Sequence, residues 1–134
     1  MGSLQSGKYR ITNVESSLRL DYKGDGETTV YAGPANTGYH QIWELTSVSD
    51  AVYTVQCELN GAKYALDGNT SGQIYALPPN GGKFQQWRIV PNGSFFRITS
   101  QATELRLDSV EGYSVQGKAP TDSDCQNWVI VSVK

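Results

Sequence analysis

The sequence predicts an all-β fold assembled from three copies of one module, and three observations carry that prediction. The first is a Gln-x-Trp tripeptide that occurs three times, as Gln41-Ile42-Trp43, Gln85-Gln86-Trp87 and Gln126-Asn127-Trp128. These hold every tryptophan of the chain, 44 and then 41 residues apart, and a fixed period near 40 marks a repeat architecture. The second is an apolar/polar alternation of period two, which suits half-buried strands rather than helices. The third is punctuation: 14 glycines and 5 prolines in 134 residues separate the alternating segments into short strands. The breaks include Gly24-Asp25-Gly26, Gly33-Pro34, Pro78 to Gly82 and Pro91-Asn92-Gly93, all turn-forming chemistry.

Each module reads as three or four short strands in a constant order. It opens on an aromatic-x-aliphatic strand: Tyr9-Arg10-Ile11, Tyr53-Thr54-Val55 and Phe96-Arg97-Ile98. An apolar-x-Leu-Asp strand follows, as Leu18-Arg19-Leu20-Asp21, Tyr64-Ala65-Leu66-Asp67 and Leu105-Arg106-Leu107-Asp108. A β-branched residue, Val30, Ile74 or Val115, then stands 13 residues before the tryptophan. The module closes on Gln-x-Trp and an apolar residue two places on: Leu45, Ile89, Ile130. The repeats are expected at about 7–50, 51–93 and 94–134, forming one domain. No stretch of a dozen residues carries a convincing helical period.

A single module offers only one apolar face, so three must share a core. The tryptophans are the natural seals, each able to bury about 150–250 Å². A chain of this length buries roughly 65–70% of its unfolded surface.

Charge and composition exclude several functions. The net charge is −2 with no basic cluster, whereas nucleic-acid binding needs a positive stripe. No apolar run of 18 residues and no charged, apolar leader is present, so a cytoplasmic protein without membrane insertion is expected. Cys57 and Cys125 occupy non-equivalent places in their repeats, which reads as two free thiols in a reducing compartment. His40 is the only histidine, too few ligands for a structural zinc site. Asp21-x-x-x-Asp25-Gly26 echoes a calcium loop, but Lys23 and Ala32 stand where oxygen ligands belong. No phosphate-cradling glycine loop or marked nucleophilic serine appears, so neither a cofactor nor catalysis is expected.

Three Leu-Asp…Val/Ile…Gln-x-Trp units of this length resemble the ricin B-type lectins, and the opening Gly7 to Val14 is similar to the small fungal members. The resemblance spans residues 7 to 134. It implies a β-trefoil of twelve strands, six in a short barrel and six in a cap, with pseudo-threefold symmetry. It also implies a shallow sugar pocket in each repeat, with galactose or N-acetylgalactosamine-terminated glycans as the usual ligands. The family's aspartate accepts hydrogen bonds from adjacent sugar hydroxyls at the pocket rim, the Gln lies close by, and an aromatic ring stacks on the sugar. A carboxylate suits vicinal hydroxyls because it is an acceptor-only group with two oxygens.

Carried over residue by residue, Asp21, Asp67 and Asp108 match the aspartate, and Gln41, Gln85 and Gln126 match the glutamine. The residue before the glutamine is His40, Phe84 or Cys125. The stacking position holds Gly33, Leu77 and Lys118, none aromatic, which puts ordinary galactose binding in question. Tyrosines are the substitutes. The first repeat is expected to be the strongest site, with Asp21, His40 and Gln41, a platform from Tyr31 or Tyr39, and Asn36 nearby. The second follows with Asp67, Tyr75, Asn80 and Gln85, and the third retains Asp108 and Gln126. Avidity would come from several pockets per chain or from a homodimer. The rival reading is a protease inhibitor of the same fold, acting through Asp21 to Thr28 or Pro78 to Lys83. A third is a protein-interaction trefoil whose sugar pockets have decayed.

Overall fold

The computed structural model describes residues 4–24 and 28–133. The Gly24-Asp25-Gly26 break, the calcium echo and the middle of the Asp21–Thr28 loop all include residues 25–27, which lie outside that range. Twelve strands form in the expected order. The first repeat holds β1 (Gly7–Asn13), β2 (Arg19–Tyr22), β3 (Val30–Gly33) and β4 (Trp43–Ser49). The second holds β5 (Val52–Leu59), β6 (Ala62–Gly68), β7 (Ile74–Leu77) and β8 (Trp87–Asn92). The third holds β9 (Phe95–Ser100), β10 (Arg106–Ser109), β11 (Val115–Lys118) and β12 (Trp128–Ser132).

The outer strands of each repeat close a barrel. β1 pairs with β4, β4 with β5, β5 with β8, β8 with β9, β9 with β12, and β12 returns to β1. All are antiparallel, and closure leaves no barrel edge open to a foreign strand. The inner strands form the hairpins β2–β3, β6–β7 and β10–β11. Single bridges join these hairpins across the pseudo-threefold axis: Thr29 to Tyr75, Gln73 to Gln116, and Tyr31 to Ser114. A six-strand barrel with a six-strand cap is the β-trefoil.

The core repeats by threes, as the sequence alternation requires. Ile11, Val55 and Ile98 come from the opening strands and Leu20, Leu66 and Leu107 from the second. Trp43, Trp87 and Trp128 are fully buried, as expected. Each indole N–H also donates to the carbonyl of the leucine in its own Leu-Asp unit, Leu20, Leu66 or Leu107, at 2.9, 2.9 and 3.0 Å. A buried indole N–H left unbonded would cost about 1–3 kcal/mol. The tryptophan therefore seals the core and fixes the strand that presents the aspartate.

The sequence reading contained no helical element, yet a single 3-10 turn carries each glutamine: Tyr39–Gln41, Lys83–Gln85 and Asp124–Gln126. Three residues are too few for a hydrophobic period to show. Both cysteines are free, Cys57 buried and Cys125 partly exposed. Burial pushes the Cys57 thiol up to about 12.

Candidate functional site

One design recurs in every repeat. The Leu-Asp strand opens a cap hairpin, and the 3-10 turn folds over it so that the glutamine reaches the carboxylate. Gln41 Nε2 donates to Asp21 Oδ2 at 2.9 Å, Gln85 Nε2 to Asp67 Oδ2 at 3.0 Å, and Gln126 Nε2 to Asp108 Oδ2 at 3.0 Å. The second N–H of each amide donates to a loop carbonyl seven residues upstream, of Pro34, Pro78 or Ala119. Each Gln Oε1 accepts a backbone N–H five residues upstream, from Asn36, Asn80 or Thr121.

These bonds change the roles assigned to the glutamines. Gln41, Gln85 and Gln126 are buried with both amide hydrogens spent. They hold the aspartates and fold the loops instead of lying open to a ligand. Asn36 and Asn80 are turn builders on the same loops: their Oδ1 atoms accept from Gly38 N and Gly82 N at 2.8 and 2.7 Å.

The aspartates are also not where the sequence reading put them. They were expected at the rim, but Asp21, Asp67 and Asp108 are 4, 4 and 9% exposed. Each lies beneath the 3-10 turn of its own repeat, a position termed its slot. The glutamine-bearing turn covers it, a shielding that strand alternation alone does not reveal. Burial raises the pKa of Asp21 above its ordinary value, against the lowering effects of Gln41, His40 and Tyr31. Asp67 is raised for the same reason, against bonds from Gln85 and the Gly68 backbone.

What surrounds each carboxylate differs between repeats. Tyr31 is the cross-strand partner of Asp21, Tyr75 of Asp67, and Gln116 of Asp108. Such pairs share one face of the hairpin within touching distance. In the first repeat burial, with the Asp21 carboxylate beside it, pushes the Tyr31 hydroxyl above its ordinary pKa. Gly33 explains the missing aromatic at the stacking position. A Cβ there would stand 3.0 Å from Tyr31 Cε2 and 3.3 Å from Asp21 Oδ2. The tyrosine ring already occupies that space, arriving from two residues earlier on the same strand.

His40 closes the opposite side. Its Nδ1 lies 2.6 Å from the Tyr22 carbonyl; because a carbonyl only accepts, Nδ1 carries the hydrogen and Nε2 is left outside this bond. Tyr39, the alternative platform, is 76% exposed and lines a neighbouring groove that Asp21 does not line.

The second repeat brings Asp67, Tyr75 and Gln85 together, Tyr75 across the hairpin from Asp67 and Gln85 bonded to it. Phe84 is exposed on its 3-10 turn at the place of His40, an aromatic surface beside the glutamine. The third repeat brings Asp108 and Gln126 together, but Gln116 and Lys118 give no ring. Arg19 and Arg106 pin the loops of repeats one and three by donating to the carbonyls of Asn36 and Thr121, both at 2.8 Å. The second repeat has Ala65 at that place.

Residues 1–76 match the family model described as ricin-type beta-trefoil lectin domain-like. No curated protein matches the chain. Among solved structures it is similar to ThreeFoil, a designed threefold-symmetric protein, at 24% identity and a TM-score of 0.85, covering 95% of this chain and 99% of that one. It is similar to a Polyporus squamosus lectin bound to a human-type influenza-binding epitope, Neu5Aca2-6Galb1-4GlcNAc, at 21% identity and a TM-score of 0.81. That likeness covers 95% of this chain and 49% of the other, so this chain spans about half of that lectin. SeviL bound to the asialo-GM1 saccharide is similar at 18% identity and a TM-score of 0.80, with 97% and 100% covered. At these identities the structures show a shared fold. With more than half of its length matched by the family model, the chain belongs to the ricin-type β-trefoil lectin domain-like family.

Proposed function

We propose that this chain is a carbohydrate-binding protein without catalysis, whose strongest site is the Asp21 slot of the first repeat. The ligand is a terminal galactose or N-acetylgalactosamine. The observation that carries the reading is the Asp21 carboxylate, fixed through Oδ2 by Gln41 and flanked by the Tyr31 ring across the hairpin. Folding has already stripped that carboxylate of most of its water, so binding pays little further desolvation, and hydrogen bonds formed there are strengthened by the low local dielectric. A charge-assisted bond from a sugar hydroxyl is worth about 1.5–3 kcal/mol. The Tyr31 ring offers a flat partner for the C–H face of the sugar.

Two structural relatives support this reading: the Polyporus squamosus lectin is bound to Neu5Aca2-6Galb1-4GlcNAc and SeviL to the asialo-GM1 saccharide. The Asp67 slot is the second site, with Tyr75 and the exposed Phe84. The Asp108 slot lacks a ring and is the weakest. A shallow monosaccharide site of this type binds at roughly millimolar Kd, about −4 kcal/mol, and several slots per chain raise avidity on a glycan-coated surface. The test is a broad glycan array probed with the whole chain. Retention of galactose-terminated glycans is expected; absence of binding to every glycan, or binding restricted to glycans without such a terminus, refutes the proposal.

A further inference from the structure

The second repeat breaks the threefold pattern in a way that concerns the first repeat's site. In repeats one and three the opening strand and the Leu-Asp strand share a single register pair, Thr12 with Arg19 and Thr99 with Arg106. In repeat two they continue as a long hairpin pairing Gln56 with Ala65, Cys57 with Tyr64, Glu58 with Lys63 and Leu59 with Ala62. Asn60 and Gly61 close it at φ 54° and 81°, the left-handed pair that a two-residue type I′ turn requires.

This hairpin packs on both elements that build the Asp21 slot. Tyr64 lies against Tyr22 of β2, with ring centroids 5.0 Å apart. Cys57 Sγ donates to the carbonyl of Tyr39 in the 3-10 turn at 3.5 Å. Leu59 lies over Gly24, where an added Cβ would come within 2.6 Å of it and 2.9 Å of His40 Cε1. Between the hairpin and the turn runs a groove of about 580 Å³, lined in part by Tyr39, Gln56, Glu58, Asn60 and Lys63. That is within the usual range for small-ligand sites, about 300–1,000 Å³.

The lining states the ligand's chemistry. Tyr39 turns a largely exposed ring to the groove, two residues before the glutamine that touches Asp21. Around it stand amides and carboxylates suited to hydroxyl groups. The charges cancel: Lys8 and Lys63 face Glu44 and Glu58, with Lys63 paired to Glu44 at 3.0 Å. We propose that this groove is a second sugar subsite continuous with the Asp21 slot, so that the first repeat binds a neutral oligosaccharide with its terminal sugar on Asp21 and the next unit against Tyr39. This inference rests on the lectin reading and extends it.

Titration of the whole chain with methyl galactoside and with a neutral galactose-terminated tetrasaccharide tests it. The tetrasaccharide is expected to bind at least tenfold more tightly. Tyr39→Ala, at an exposed position outside the core, is expected to remove that gain while changing the methyl galactoside affinity by less than twofold. Asn60→Gly, which keeps the left-handed turn while removing the side-chain amide, is expected to reduce the gain in the same selective way. Equal affinity for both sugars, an equal loss for both in Tyr39→Ala, or tighter binding of a sulfated tetrasaccharide than of the neutral one overturns the subsite while leaving the Asp21 slot standing. Absence of binding to either sugar overturns the lectin reading itself.

Discussion

Replacing Gln85 by methionine tests whether the repeated glutamine is a structural clamp. The side chain keeps its length and burial but loses three hydrogen bonds: to Asp67 Oδ2 at 3.0 Å, to the Pro78 carbonyl at 3.2 Å, and from Asn80 N at 2.9 Å. The bond to the buried carboxylate is charge-assisted and worth about 1.5–3 kcal/mol. The loop partners are partly exposed, so water replaces them in part and each contributes about 0.5–1 kcal/mol. The expected loss is about 3 kcal/mol, a fall in Tm of roughly 10 °C for a chain of this length. Urea denaturation read by tryptophan fluorescence measures it, with an unchanged slope if only stability has moved. Gln86→Met is the control, since the Gln86 side chain makes no hydrogen bond among the described residues, and a change below about 0.5 kcal/mol is expected. A loss under 1 kcal/mol in Gln85→Met, or an equal loss in the control, refutes the clamp.

Three further outcomes follow from the same geometry. Asp67 has its pKa raised by burial, so the fold holds its proton more tightly than the unfolded chain does, and stability contributed by this group falls as pH rises from its ordinary value of 3.8 through the raised one. Asp67→Asn is therefore expected to be more stable than the parent at pH 7 and equal to it at pH 3, as measured by urea unfolding; a variant less stable at pH 7 contradicts this. Trp43→Phe, Trp87→Phe and Trp128→Phe should each cost about 2–4 kcal/mol by thermal unfolding, because each strands a buried leucine carbonyl and leaves a void; one costing nothing breaks the equivalence of the repeats. A thiol reagent at pH 8 is expected to label Cys125 in the native chain and Cys57 only after unfolding, since Cys57 is buried with its thiol pushed up to about 12.

Much of the fold was legible in the residues. The Gln-x-Trp spacing and the period-two alternation located the short strands of each repeat, because a strand that buries one face must alternate and three equal modules must repeat the same burial. The Leu-Asp and Gln-x-Trp motifs recur together for a reason visible only in three dimensions. Trp43 holds the Leu20 carbonyl while Gln41 holds the adjacent Asp21 carboxylate, so one closing turn clamps two successive residues of a strand some 20 positions away. A constant spacing of this kind is equally compatible with a ligand set and with a clamp, which is why the glutamines read as binding residues. The depth of the aspartates was hidden because the covering turn is too short to declare itself. Gly33 read as a missing aromatic, although it marks the space into which Tyr31 folds. The asymmetric hairpin had its signal in Asn60-Gly61 between alternating runs, but its contacts with Tyr22 and Tyr39 depend on how neighbouring repeats pack.

Chemical-shift mapping with methyl galactoside, on the parent chain and on Asp21→Asn, tests the central claim most directly. The substitution preserves shape and removes only the charge of the acceptor. Ligand-induced shifts should centre on Tyr31, Gly33 and His40 in the parent and vanish in a variant that unfolds no earlier. Shifts that persist in Asp21→Asn, or that cluster away from these residues, would contradict a sugar held by the buried carboxylate.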